Sequence, residues 1–108
     1  MNKLLVISLA LVVFLSGCIT TEKETDLEKI KGYCISACEA ERKNGIDLSN
    51  GPCLLNPMPE NPDWVCDVAH DPRQSADNLP ENQCSAFRES ISHHFVEVTP
   101  ECNFIRAW

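Results

Sequence analysis

Acidic, basic and histidine side chains that could take part in catalysis or metal binding concentrate in the second half of the chain. A carboxylate beside an imidazole can act as a general acid–base pair, and several such groups together can hold a metal ion. The spacing Asp67-x₂-His70-Asp71 gathers such groups in one short segment, and His93-His94 offers a second cluster. The candidate site residues are Asp67, His70, Asp71, Arg73, Arg88, His93, His94 and Glu97.

The sequence motifs that usually accompany catalysis are missing around these candidates. The chain has no H-E-x-x-H, no G-x-S-x-G and no Walker loop, and it has only four glycines. Neighbouring strand residues point to opposite faces, so only one of His93 and His94 can join a shared site. We therefore predict a protein that is not an enzyme, with no catalytic residue, metal or cofactor. The alternative is a small metal-binding or hydrolase-like enzyme that uses His70 with Asp67 or Asp71.

The N-terminus has the pattern of an export signal. Lys3 is followed by an apolar run over residues 4–15. As a helix this run would span about 18 Å, which is short of the roughly 30 Å hydrocarbon core of a bilayer. The run therefore predicts a signal peptide rather than a membrane-spanning helix.

The residues after this run form the motif Leu15-Ser16-Gly17-Cys18. It resembles the lipobox of prokaryotic lipoproteins, in which an aliphatic and two small residues precede the modified cysteine. The resemblance implies that Cys18 becomes the new N-terminus and carries lipid. Two acyl chains, at about 0.8 kcal/mol per buried CH₂, would anchor the protein on the extracytoplasmic side of the cell membrane. The predicted divisions are a signal peptide over 1–17, a lipidated cysteine and tether over 18–24, and a folded domain over 25–108.

The cysteine count agrees with this assignment. The chain has seven cysteines, and assigning Cys18 to lipid leaves an even number in an oxidising compartment. The spacings contain no C-x-x-C redox motif and no pair of zinc knuckles. A bridge across one helical turn would constrain little, which disfavours pairing Cys34 with Cys38. The cysteines predicted to form disulfides, with their pairing open, are Cys34, Cys38, Cys53, Cys66, Cys84 and Cys102.

The first element of the folded domain is predicted to be a helix over about 26–43. Thr25-x-x-Glu28 fits a capping box, and apolar residues then recur at spacings of three and four. Asn44-Gly45 supplies a left-handed stop signal. This pattern places Cys34 and Cys38 on the inner face, where they can join the helix to two different segments.

Prolines in the segment 44–63 exclude the interior of helices and strands. The segment is also unusually apolar, and we expect its apolar side chains to cover the helix. An exposed, rigid loop over 51–63 would instead suit an inhibitor of an extracellular protease, which is a further alternative. The apolar residues concerned are Leu54, Leu55, Met58 and Trp64.

Three later segments have the character of strands, namely 64–69, 93–98 and 103–108. In the second of these, alternation places Phe95 and Glu97 on one face and their neighbours on the other. Two interpretations of 81–91 stay open, a short helix after Pro80 or a strand of a hairpin. The predicted fold class is a small disulfide-rich α+β domain, with one N-terminal helix packed on a short antiparallel sheet.

The net charge of −7 excludes a nucleic-acid partner, because binding to phosphates needs clustered Lys and Arg. The predicted partners are membrane lipid, through acylated Cys18, and an unidentified protein or small molecule. Together these features predict a lipid-anchored extracytoplasmic protein, with a role as a binding or structural accessory module.

Overall fold

The structure is a computed structural model that describes residues 22–108, with side chains from residue 26 onward. The predicted signal peptide, Cys18 and the first part of the tether lie outside the described residues. The helices are Glu22–Lys43 (α1) and Ser85–Arg88 (α2), with short 3₁₀ turns at Ser75–Asn78 and Pro80–Asn82. The strands are Cys53–Leu55 (β1), Trp64–Val68 (β2), His94–Val98 (β3) and Phe104–Ala107 (β4).

The strands form one sheet in the order β1-β2-β3-β4. The outer pairs are antiparallel, but β2 and β3 run parallel, from Trp64 beside His94 to Val68 beside Val98. The sheet is therefore mixed, and the prediction of an antiparallel sheet was wrong for its centre. The reason is the connection between β2 and β3, which contains α2 and crosses over the sheet before β3 begins. The small disulfide-rich α+β class is confirmed.

Helix α1 is longer at its start than the sequence predicted. It begins at Glu22, so Thr25 lies within the helix rather than at its cap, and the last residues of the predicted tether are helical. The predicted stop is confirmed, since Gly45 has a φ of 79°. The N–H groups of Gly45 and Ile46 donate 3.0 Å bonds to carbonyls of the last turn, which is a Schellman motif. Within residues 22–108, neither helix has the length and apolar character needed to cross a membrane.

Two disulfides join α1 to two different parts of the sheet, as the sequence predicted. Cys34 is bonded to Cys66 on β2, and Cys38 is bonded to Cys102 in the turn between β3 and β4. A third disulfide joins β1 to the residue before α2. The pairs are Cys34–Cys66, Cys38–Cys102 and Cys53–Cys84.

The main core lies between α1 and the sheet. The proline-rich segment 44–63 contributes to it, because Leu48 is buried and Met58 is completely inaccessible to solvent. This confirms the expectation that its apolar side chains cover the helix. The segment 51–63 is only partly exposed, since residues 59, 60, 62 and 63 are exposed while Met58 is buried, and the protease-inhibitor alternative stays a prediction. Besides the cysteines, the buried side chains of this core are Ile30, Leu48, Met58, Val68, Val96 and Val98.

The segment 81–91 is helical rather than a strand. Pro80 opens a 3₁₀ turn, and α2 follows with Ala86 buried against Val65. The hairpin interpretation was wrong because β2 and β4 occupy both edges of β3, which leaves no edge for another strand. Helix α2 thus covers part of the sheet face opposite α1.

Candidate functional site

The sheet face opposite α1 carries the polar residues of interest. Val65 and Asp67 of β2, Phe95 and Glu97 of β3, and Arg106 of β4 line one cleft on this face. The alternation predicted for β3 is confirmed, since Val96 and Val98 lie in the core beneath α1. The register pairs β2 with β3 so that the two acidic residues are neighbours across the strands.

The cleft has a volume of about 320 Å³. The strands form its floor, α2 forms one wall, and the connection between β2 and α2 forms the other. Its apolar lining includes Val65, Phe87 and Phe95, and the two aromatic rings meet edge to face at 5.1 Å. Its polar lining consists of Asp67, Arg73, Gln83, Arg88, Glu97 and Arg106.

Glu97 is the centre of the ionic network in the cleft. Its side chain is 7% exposed and accepts hydrogen bonds from Arg73 Nη1 at 3.2 Å and Arg106 Nε at 2.8 Å. Arg73 also donates to the Asn78 side chain at 2.9 Å and to the Asp77 carbonyl at 3.2 Å. Arg73 is therefore held on three sides, whereas Arg106 commits only its Nε to a described partner.

Asp67 is the unusual acid of the cleft. Burial raises the pKa of its carboxyl to about 8, and the charge of Glu97 adds to the effect while Arg73 opposes it. The Asp67 carboxyl is therefore mostly protonated at neutral pH. Its Oδ1 is buried and has no hydrogen-bond partner among the described residues. A buried polar atom without a partner costs about 1–3 kcal/mol, so it needs an explanation.

The charge of the cleft is opposite to that of the chain. Three of the four arginines in the sequence line it, and the fourth, Arg42, lies exposed on α1. Of the two lining carboxyl groups, Glu97 is paired with Arg73 and Arg106, and Asp67 is mostly protonated at neutral pH because burial raises its pKa. A chain with a net charge of −7 therefore presents a positively charged concave surface.

His70 lies in a different place, beside the buried Asp77. Its Nδ1 is 2.9 Å from Asp77 Oδ1, and its backbone N–H donates to Oδ2 at 3.0 Å. Burial alone would raise the pKa of Asp77, but hydrogen bonds from Gln74 and His70 hold that pKa below its ordinary value. A Cβ at Gly51, whose φ is +74°, would come within 2.7 Å of this carboxylate. The His70–Asp77 pair therefore closes a turn within the connection between β2 and α2, and Gly51 packs closely against it.

His93 and His94 lie in a third place and share Asp63. His93 Nδ1 is 2.6 Å from Asp63 Oδ1, and His94 Nε2 is 3.6 Å from Oδ2. The hydrogen bond from His93 lowers the pKa of Asp63. Both histidines reach one carboxylate because β3 begins at His94, so His93 does not follow the alternation of the strand.

The candidate residues therefore separate into distinct groups. The hypothesis that the Asp67–Asp71 segment and the two adjacent histidines converge on one metal is not supported. Among the described residues, the one group of three possible ligands within 4.8 Å is Cys53, Asp67 and Cys84, and both cysteines are in a disulfide. The candidates that do share one cleft are Asp67, Arg73, Arg88 and Glu97.

Three residues that the sequence reasoning missed complete these groups, namely Arg106, Asp77 and Asp63. Arg106 could have been found, because it lies opposite Glu97 in the predicted pairing of the last two strands. Asp77 and Asp63 had no such signal. Their roles depend on loop paths that bring them beside His70 and His93.

Comparisons with known proteins give no further assignment. No protein-family model matches this chain, and searches of curated proteins and of solved structures find no match either. No residue role can therefore be transferred from another protein. The function has to be argued from the cleft itself.

Proposed function

We propose that the protein is a lipid-anchored extracytoplasmic module that binds a small ligand in the cleft between β2, β3, β4 and α2. Small-molecule sites are concave, mostly apolar and furnished with a few well-placed polar groups. The cleft combines an apolar part, formed by Val65, Phe87 and Phe95, with six polar side chains, so it is more polar than most such sites. Its volume of about 320 Å³ suits a small molecule.

The observation that carries this proposal is a set of polar groups in the cleft that lack hydrogen-bond partners among the described residues. The buried Asp67 Oδ1 has no partner among the described residues. Arg106 keeps both terminal amino groups available beyond its bond to Glu97. Binding of a ligand would offset the cost of these groups, whereas a purely structural site would be expected to satisfy them.

The anchoring half of the proposal rests on the resemblance of residues 15–18 to a lipobox. The three disulfides support it, because such bonds persist in oxidising, extracytoplasmic compartments. Mass spectrometry of the protein extracted from membranes tests this half. We expect that residues 1–17 are absent from the mature protein and that Cys18 carries lipid. A Cys18→Ala variant should stay unprocessed. An unlipidated Cys18 in the wild-type protein would refute the anchor.

The binding half is tested by protein-observed NMR with a library of small fragments of mixed charge. We expect saturable amide shifts that cluster at residues 65–67, 84–88 and 95–97. The shallow surface around Ile35 and Glu39 on α1 serves as an internal reference, because it is lined by one helix alone. Shifts confined to that surface, or no saturable shift, would contradict a binding role for the cleft.

A second candidate is a hydrolase-like site around His70. Two observations favour it. The buried Asp77 holds the His70 imidazole in place, as a carboxylate does for the histidine base of many hydrolases, and Ser49 lines the same depression as His70. Ser49 has no hydrogen bond to His70 among the described residues, which weakens this candidate. Hydrolysis of activated esters by wild-type protein, lost in both Ser49→Ala and His70→Ala, would establish it. Equal activity in all three proteins would exclude it.

A further inference from the structure

We propose that the ligand of the cleft is a small organic carboxylate with an apolar body. This inference rests on the proposed function, because it names the ligand class of the same site. It follows from three properties of the lining: where guanidinium groups are available, where apolar surface lies, and what net charge the lining carries.

The anionic end of the ligand would be held by Arg106 and Arg88. Glu97 binds Arg106 through Nε at 2.8 Å, which orients the guanidinium and leaves its two terminal amino groups for another acceptor. Arg88 lines the same cleft and forms no ion pair with a described carboxylate. The planar fork of arginine donates two parallel hydrogen bonds to a carboxylate. Arg73 contributes mainly charge, because each of its three side-chain nitrogens already donates to a described partner.

The apolar end would lie against α2 and β3. Phe87 and Phe95 meet edge to face at 5.1 Å, and Val65 closes the floor between them and the disulfide of Cys84. A volume of about 320 Å³ admits a single ring or a short aliphatic chain beside the charged end. Burying that surface would supply the non-directional part of the affinity.

The charge balance of the lining favours an anion over a neutral or cationic ligand. The three guanidinium groups face one buried carboxylate, Glu97, which already offsets part of their charge. Asp67 stands beside Glu97 and is neutral at neutral pH. A protonated Asp67 carboxyl can donate a hydrogen bond to a bound carboxylate, which adds to the free donors of Arg88 and Arg106.

The same arrangement predicts that binding weakens in alkaline solution. When Asp67 ionises near pH 8, it places a second fixed negative charge in the cleft and loses its donor. The charged groups that surround it are Glu97 on β3, Arg106 on β4, Arg88 on α2, Arg73 on the connection after β2, and Asp77 in the first 3₁₀ turn. The arginines keep their charge through this range, so the change comes from Asp67.

The test uses the full-length protein in detergent micelles and three probes that share a phenyl ring. These are benzoate as the anion, benzamide as the neutral isostere and benzamidine as the cation, with inorganic phosphate as an anion lacking the ring. We expect benzoate to shift the amides of the cleft saturably. Benzamide and phosphate should bind at least about tenfold more weakly than benzoate, because benzamide lacks the negative charge and phosphate lacks the ring.

Matched variants separate charge in the cleft from charge elsewhere. Arg88→Gln should weaken benzoate binding about tenfold, as expected for loss of one charge-assisted hydrogen bond. Arg42→Gln removes the same group from an exposed position on α1 and should leave the affinity unchanged. Equal effects of the two variants would overturn the assignment of the anionic end.

Repeating the benzoate titration from pH 6 to 9.5 tests the role of Asp67. Wild-type affinity should fall as the pH rises through about 8, and Asp67→Asn should remove this fall. A fall that persists in Asp67→Asn would overturn that role. Benzamide or benzamidine binding as tightly as benzoate would overturn the ligand class while leaving the cleft a binding site. Absence of any cleft shift with all four probes would overturn both the ligand class and the proposed function.

Discussion

The two faces of the sheet differ in how they are covered and in what they contain. The face beneath α1 is apolar throughout its buried residues and is fastened to the helix by two disulfides. The opposite face carries a smaller apolar cluster, one disulfide and a charged cleft. One sheet therefore separates the surface that stabilises the fold from the surface available for binding.

The difference follows from the length of the covering helices. Helix α1 has 22 residues, and its inner face excludes water from the strands below it. Helix α2 has only 4 residues and covers the end of the sheet near Val65 and Phe95. The end with Asp67 and Glu97 lies beyond α2, and Glu97 is paired there with Arg73 and Arg106 instead of being covered by an apolar helix. A short cover therefore permits a polar site that a long one would exclude.

The largest expected effect comes from removing disulfides on the two faces. The Cys34–Cys66 and Cys53–Cys84 bonds span 32 and 31 residues, so the chain-entropy loss should be almost equal, about 4 kcal/mol each. Replacing both cysteines by alanine should cost more stability for Cys34–Cys66, because both of its residues are fully buried. Urea denaturation of the two double variants measures the difference.

The effect of these two double variants on the cleft should be the reverse of their effect on stability, with the larger change for the loss of Cys53–Cys84. Cys84 lines the cleft, whereas Cys34 and Cys66 lie in the core beneath α1. Amide shifts at residues 84–88 should therefore change only when the Cys53–Cys84 bond is removed. The comparison of the two faces fails if that bond proves the more stabilising of the two.

Met58→Ala should be the next largest effect, about 2–5 kcal/mol of lost stability. Met58 is completely buried in the core beneath α1, although it comes from the proline-rich segment. Ile46→Ala is the control, since that side chain is 48% exposed and should change stability by less than about 0.5 kcal/mol. Thermal unfolding of both variants would show whether this segment is part of the core. Equal melting temperatures would argue that it is not.

Glu97→Gln should cost about 1–3 kcal/mol, because a buried carboxylate that pairs two arginines is replaced by a neutral amide. It should also lower the pKa of Asp67, since the charge of Glu97 helps to raise it. Glu101→Gln, on the exposed turn before β4, should leave both properties unchanged. Denaturation and carboxyl NMR titration measure the two effects, and an unchanged Asp67 pKa would contradict the coupling.

The smallest expected effect over a single pH unit is a change in slope caused by Asp67→Asn. The folded-state pKa of about 8 lies above the ordinary value of 3.8, so the folded protein binds a proton that the unfolded chain releases. Stability from Asp67 is therefore lost as the pH rises from about 4 to about 8, by no more than about 1.4 kcal/mol per pH unit. Asp67→Asn should flatten the curve of stability against pH.

Asp71→Asn is the control for this measurement, because Asp71 is an exposed carboxyl outside the cleft. Urea midpoints at intervals of one pH unit give both curves. The slope of the Asp71→Asn curve should match that of the wild-type protein. An Asp67→Asn curve as steep as the wild-type curve would show that the cleft does not perturb this acid.

Local patterns in the sequence were enough to predict most elements. The spacing of apolar residues and Gly45 predicted α1 and its end, and β-rich segments predicted the last strands. The alternation around Phe95 predicted which side chains of β3 would leave the core. These features depend on neighbours within a few residues, so they can be read from the chain directly. The direction of β3 could not be predicted in this way, because it depends on the path of the connection between β2 and β3.

The sequence by itself determined the class of the domain, the six disulfide cysteines and four residues of the cleft. Only the tertiary structure decided which cysteines pair, that β2 and β3 run parallel, and that Arg106 joins Glu97 while His70 joins Asp77. Periodicity and composition act over one or two turns of chain. The meeting of distant side chains depends instead on strand register and on how far each helix extends over the sheet. The site is therefore a property of the folded sheet, built from residues whose chemistry the sequence had already indicated.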